Sequence, residues 1–99
     1  MKKLKSNQYH ILILARKLKN EKGEVILKEK ELEKFKSHAV EEVSSKYDRT
    51  FNKEGFEAAL ANLILKDLIK KDGDKFVIDS DTPVKIRKGS LEESGTLTA

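Results

Sequence analysis

The sequence predicts one small α+β domain, mainly α with a small β-hairpin: three helices plus a two-stranded ribbon. Three stretches, residues 6–20, 29–47 and 52–72, repeat apolar residues at steps of three and four, as amphipathic helices do. Two short stretches, 75–78 and 84–88, alternate apolar and charged residues, which is typical of half-buried strands. Ninety-nine residues fit a single domain. We place it at residues 1–88 and expect 89–99 to be a flexible tail, because that segment lacks any pattern.

Composition narrows the classes of function. The chain has no cysteine, which excludes disulfides, thiolate catalysis and cysteine metal sites. Its two histidines, His10 and His38, lack a ligand cluster at metal spacing, and neither a phosphate-binding loop nor a nucleophile–base pair is visible. No apolar run is long enough to cross a bilayer, and no signal peptide is evident. We therefore expect a cytoplasmic, non-enzymatic protein without a cofactor, a metal or a small-molecule substrate.

The first helix pattern begins at Ser6, a favourable N-cap, and extends to about Asn20. Ile11, Leu14 and Ala15 share one face with Leu18, so this face is expected to meet the core. The apolar run 11–14 is also compatible with a buried strand. Residues 24–27 then predict a very short strand.

The second and third helix patterns supply most of the predicted core. The second, residues 29–47, has an ordinary one-sided apolar face. The third is capped by Asn52 and continues to Asp72-Gly73-Asp74, which we interpret as its end. The residues expected to be buried together are Leu32, Phe35, Val43, Phe56, Leu60 and Leu63.

The third helix is apolar around most of its circumference. Its narrow remaining stripe contains Gly55, Ala59, Asn62, Lys66 and Lys70. A helix apolar over roughly 240° needs cover on two sides, which favours a homodimer. The residues predicted at this interface are Leu65 and Ile69, together with Leu12 and Ile13 of the first helix. The alternative is a monomer in which the first helix covers the third.

Basic residues concentrate toward both ends of the domain. Residues 1–27 hold seven basic and two acidic groups, and Lys85, Arg87 and Lys88 lie close together in the predicted ribbon. Such patches attract polyanions. A solvated lysine-rich surface is the alternative interpretation.

The order helix, short strand, helix, helix, ribbon resembles a winged-helix domain. The residues that carry the resemblance are 52–56 (NKEGF), through 68–78 (LIKKDGDKFVI). The resemblance implies that the third helix enters the major groove of double-stranded DNA and that the ribbon lies on the backbone. Asn62 and Lys66 would then face the groove, and Lys85, Arg87 and Lys88 would contact phosphates. Lys70 continues the stripe of Asn62 and Lys66 and is also predicted to bind nucleic acid. The expected function is a small viral, plasmid or microbial DNA-binding regulator of transcription; the alternative is a protein-interaction or dimerisation module.

Overall fold

The structure, a computed structural model, describes residues 1–87. Lys88 and the predicted tail 89–99 lie outside the described residues. The helices are α1 (Ser6–Arg16), α2 (Leu32–Lys46), preceded by a 3-10 turn (Glu29–Glu31), and α3 (Lys53–Leu65). The strands are β1 (Lys2–Leu4), β2 (Ile26–Lys28), β3 (Ile69–Asp72), β4 (Lys75–Ile78) and β5 (Val84–Ile86). The predicted α+β class with three helices is confirmed.

The strands form two small sheets rather than one ribbon. One sheet is antiparallel, in the order β2-β4-β3, with Leu27 opposite Phe76 and Phe76 opposite Lys71. The other is a parallel pair of β1 and β5. The predicted ribbon of 75–78 with 84–88 is therefore wrong, because β4 pairs with its neighbours β2 and β3, whereas β5 pairs with the N-terminal strand.

The third helix is shorter than its apolar pattern. Asn52 is its N-cap, as predicted, and its side chain accepts a hydrogen bond from the Gly55 N–H at 2.9 Å. The helix ends at Leu65 because Asp67 adopts a positive φ of 60°, which turns the chain out of the helix. Of the residues predicted to continue this helix, 66–68 form a turn and 69–72 form β3. Gly73, at φ 62°, begins the two-residue turn into β4.

Helices α1 and α2 form where the sequence predicts them, but their first and last residues differ from the predicted ones. Lys5, rather than Ser6, occupies the N-cap of α1, and α1 ends at Arg16 instead of continuing to Asn20. The strand alternative for residues 11–14 is wrong, since these residues lie in α1. The predicted strand at 24–27 is β2, displaced by one or two residues.

All three helices and both sheets contribute to one core. Phe56 and Leu63 of α3 are fully buried, and Phe56 meets the Phe35 ring edge-on with centroids 5.9 Å apart. The predicted core is buried as expected, except that Leu32 is only partly buried against it. Lys36 ties α2 to α3: its side chain is 10% exposed, and its ammonium contacts Glu57 at 2.5 Å.

Candidate nucleic-acid interface

The parallel pairing of β1 with β5 places basic side chains from both ends of the domain on one surface. Lys3 lies opposite Lys85, and Leu4 lies opposite Ile86. Leu4 is fully buried, so strand alternation directs Lys3 and Lys85 outward. Continuing the alternation places Lys5 and Arg87 on the same outer side, and the Arg87 N–H donates to the Leu4 carbonyl at 2.6 Å. We call this surface the terminal basic face; it comprises Lys3, Lys5, Lys85 and Arg87.

The C-terminal end of α3 adjoins the terminal basic face through two lysines. The Lys66 ammonium donates to the Lys3 carbonyl at 3.1 Å. In return, the Lys2 ammonium donates to the Lys66 carbonyl, one of the orphan acceptors at the end of the helix. Lys66, predicted to enter a DNA groove from the middle of a helix, is instead the C-cap of α3 and lies beside β1.

Arg16 holds the segment that leads into β5. Its Nε donates to the Asp79 carbonyl at 2.7 Å, and its Nη2 donates to the Thr82 carbonyl at 2.8 Å. The Asp79 carboxylate closes the same loop by accepting from the Thr82 hydroxyl and from the Asp81 N–H. The hydrogen bond from Thr82 lowers the pKa of Asp79, with further contributions from backbone N–H groups and Arg16. The last residue of α1 thus positions the C-terminal half of the terminal basic face.

The exposed face of α3 differs from the predicted stripe. Ala59 is only 4% exposed, and a side chain at Gly55 would come 3.0 Å from the Phe51 ring, so these two residues face inward. Asn62 is half-buried and donates to the Ala58 carbonyl of its own helix at 3.1 Å. The exposed residues on the side opposite the core are Glu54, Ala58, Ala61 and Leu65.

This exposed face is unsuited to the phosphate-lined groove of DNA. Over its whole length, α3 has one basic residue, Lys53, against the two carboxylates of Glu54 and Glu57. Lys70, predicted to continue the stripe, lies on β3 opposite Val77. The nucleic-acid residues predicted from the sequence are therefore dispersed: Lys85 and Arg87 belong to the terminal basic face, Lys66 adjoins it, and Asn62 and Lys70 lie apart.

The four residues predicted to form a dimer interface do not share one surface of the protein. Leu65 is 79% exposed, whereas Ile69 is 3% exposed and Leu12 is fully buried. Ile13 is half-buried. Ile69 and Leu12 belong to the core of a single chain, so their assignment to an intermolecular surface is wrong. Helix α1 packs against the inner side of α3, but it does not cover Leu65, which the alternative prediction expected it to do.

The histidine on α1 lies in a separate aromatic cluster. The His10 ring stacks on Tyr47 with centroids 3.6 Å apart, and Tyr9 meets it edge-on at 5.4 Å. Burial lowers the pKa of His10 below its ordinary value. Lys17, Glu42 and Lys46 line the same small cavity, and Glu42 pairs with Lys46 at 3.0 Å.

Lys2, Lys3 and Lys5 were not assigned to any site from the sequence. The sequence shows the excess of basic residues near the N-terminus, but it does not show that this segment pairs with β5.

Among the described residues, no cluster of three or more potential metal ligands is found. No helix within residues 1–87 is both long and apolar enough to cross a membrane. No protein-family model, curated protein or solved structure matches the chain.

Proposed function

We propose that this protein is a winged-helix-type, non-enzymatic nucleic-acid-binding protein that holds duplex DNA by its phosphates. The order α1, β2, α2, α3 and then the β3–β4 hairpin supports the winged-helix assignment. So does the pairing of β2 with β4, which joins the short strand after α1 to the hairpin. In this proposal the phosphates meet the terminal basic face, and α3 does not enter the major groove.

The observation that carries the proposal is the register of Lys3 with Lys85. Two like charges placed directly opposite each other destabilise a strand pair. Residues 1–5 and 83–87 together contain five basic side chains and no acidic one. The two strands therefore concentrate positive charge on one surface of the domain, and such a surface attracts a polyanion.

Lysine and arginine at such a surface act mainly on the sugar–phosphate backbone. Each neutralised phosphate releases condensed counterions, so affinity falls steeply as salt rises. Contacts of this kind fix the orientation of the protein on the duplex without specifying its sequence. Binding with little sequence preference and strong salt dependence is the expected behaviour.

A second candidate function is that of a protein-interaction module. It is favoured by one observation, the 79% exposure of Leu65 on a face of α3 that carries few charges. The two functions use different surfaces, so substitutions separate them.

The test compares two triple variants with equal loss of charge. In the first, Lys3, Lys85 and Arg87 are replaced by glutamine; in the control, the exposed residues Lys22, Lys34 and Lys53 are replaced by glutamine. Binding to a duplex of random sequence is measured across a salt series. We expect the first variant to bind more weakly and to lose about three units of the log–log salt slope, with little change in the control. Equal weakening of both variants, or no duplex binding by the wild-type protein at low salt, would contradict the proposal.

A further inference from the structure

We infer that the groove between α2 and β2 is a binding site for a small amphipathic carboxylate, an anion whose body is an alkyl chain. The groove has a volume of about 360 Å³ and is lined by residues of α2, of β2 and of the segment after α1. It shares no residue with the terminal basic face, so the inference does not depend on nucleic-acid binding.

Most of the lining of this groove is apolar. Leu27 of β2 and Phe35 of α2 belong to the core and are 6% and 8% exposed. Leu18, two residues after the end of α1, is 40% exposed, and Ile26 is half-buried. Leu18 and Ile26 thus keep apolar surface in contact with water, and covering that surface with an alkyl chain is favourable.

The polar side chains that line the groove all lie on its α2 side. Glu31 belongs to the 3-10 turn before α2, and Lys34 and His38 lie one turn apart on α2 itself. Leu18 and Ile26, which complete the lining, bring no polar side chain. This asymmetry fits a ligand that is apolar over most of its length and polar at one end.

The charges on the α2 side favour an anionic end. The Glu31 carboxylate accepts a hydrogen bond at 3.3 Å from the backbone N–H of the residue that precedes the 3-10 turn. Glu42, one turn beyond His38, pairs with Lys46 at 3.0 Å. Within residues 1–87, neither Lys34 nor His38 forms an ion pair. The Lys34 ammonium and a His38 ring N–H are therefore available as donors to one carboxylate.

The volume of the groove sets the size of the ligand. At about 30 Å³ for each non-hydrogen atom, which is the share of a water molecule in the liquid, 360 Å³ holds about twelve such atoms. A straight-chain carboxylate of about eight carbons, with about ten non-hydrogen atoms, fits this space. Known ligand sites begin at roughly 300 Å³, so the ligand is at the small end of the range.

The contacts also set the expected strength of binding. Lys34 and His38 are exposed, and an ion pair in contact with water contributes little to affinity. Most of the affinity therefore comes from the alkyl chain on Leu18, Ile26 and Phe35. For a ligand of about ten non-hydrogen atoms, we expect a Kd of about 0.1–1 mM.

Titration of the isotope-labelled protein with sodium octanoate at constant ionic strength, followed by amide NMR, tests the inference. We expect saturable shifts at Leu18, Ile26 and His38. Acetate has the same head without the chain and should bind more weakly by about tenfold or more. The alcohol 1-octanol has the chain without the charge and should bind about threefold more weakly. Absence of saturable shifts up to about 10 mM octanoate, or shifts confined to other surfaces, would overturn the inference. Equal binding of octanoate and 1-octanol would overturn it as well, because the head would then have no role.

Two matched pairs of variants test the head and the chain separately. Lys34→Gln should raise the Kd for octanoate about two- to fivefold, whereas Lys30→Gln, at an exposed lysine that does not line the groove, should leave it unchanged. Leu18→Asp places a carboxylate beside the chain and should raise the Kd by about tenfold or more. Leu65→Asp makes the same change at a leucine exposed on α3 and should have no effect. The dispersion of the amide shifts establishes that each variant is folded. Equal effects of the two members of either pair contradict the assignment of the groove.

Discussion

Lys3 lies directly opposite Lys85 in a parallel pair of strands that joins the two ends of the domain. Neighbouring strands lie about 4.8 Å apart, so the two side chains leave the sheet close together and on the same side. Like charges in this position are unfavourable for folding by a few tenths of a kcal/mol up to about 1 kcal/mol. The pairing thus lowers stability while it raises the local positive potential.

The first prediction is that Lys85→Gln stabilises the protein at low ionic strength. Removing one of the two opposed charges should raise the free energy of unfolding by about 0.2–1 kcal/mol. The gain should nearly vanish in 1 M salt, where the screening length is about 3 Å. Urea unfolding in the two buffers measures this, with Lys53→Gln as the control. A loss of stability on removing Lys85 at low salt would show that its charge is compensated.

The second prediction concerns the core around α3. Leu63 is fully buried, and Leu65, two positions later on the same helix, is 79% exposed. Leu63→Ala should lower the free energy of unfolding by about 2–5 kcal/mol, because it removes apolar contacts and leaves a cavity. Leu65→Ala should change it by less than about 0.5 kcal/mol, because the Leu65 side chain is exposed. Similar effects of the two substitutions would show that the buried face of α3 is wrongly assigned.

Helical periodicity made much of the fold predictable. Phe56 and Leu63 share one apolar face of α3, and Phe35 lies on the apolar face of α2; all three side chains are buried, as that periodicity requires. The same rule failed at Leu68 and Ile69, since their apolar spacing continues that of α3. Only the positive φ of Asp67 reveals that the helix has ended. A glycine followed by an aspartate between two short apolar stretches was the available hairpin signal, at Gly73.

The candidate site was less predictable because it depends on a long-range pairing. Lys85 and Arg87 were assigned from their local alternation, which is visible in the sequence. Their pairing partners lie about eighty residues earlier, in a strand of three residues that is too short to show a period. The inner side of α3 was misjudged for a related reason, since small residues such as Gly55 and Ala59 suit both a solvated stripe and a close helix contact.

The third prediction is that replacing Arg16 lowers both the stability of the fold and the affinity for duplex DNA. Its guanidinium donates to two backbone carbonyls of the loop before β5, so Arg16→Gln leaves these acceptors without their charged donor. We expect a loss of about 1–3 kcal/mol in the free energy of unfolding. Duplex binding should also weaken, because β5 is no longer held in register beside β1. Arg49→Gln, at an exposed loop position, is the matched control. Unchanged binding in a destabilised Arg16→Gln protein would separate this loop from the interface.

The last prediction is a pH dependence of stability that arises from His10. Burial lowers the pKa of His10 below 6.5, so the folded protein binds its proton more weakly than the unfolded chain does. The stability contributed by neutral His10 is therefore present above pH 6.5 and is lost as the pH falls through the folded-state pKa. The lowered pKa of Asp79 affects stability only at lower pH, because the stability contributed by the Asp79 carboxylate is lost as the pH falls below the ordinary pKa of 3.8.

The His10→Phe variant keeps a ring on Tyr47 without a titrating group. The unfolding free energy of this variant should therefore vary less between pH 7 and pH 5 than that of the wild-type protein. His38→Gln, at an exposed position, should retain the wild-type dependence. An equal pH dependence in the wild-type protein and His10→Phe would assign the effect to other groups.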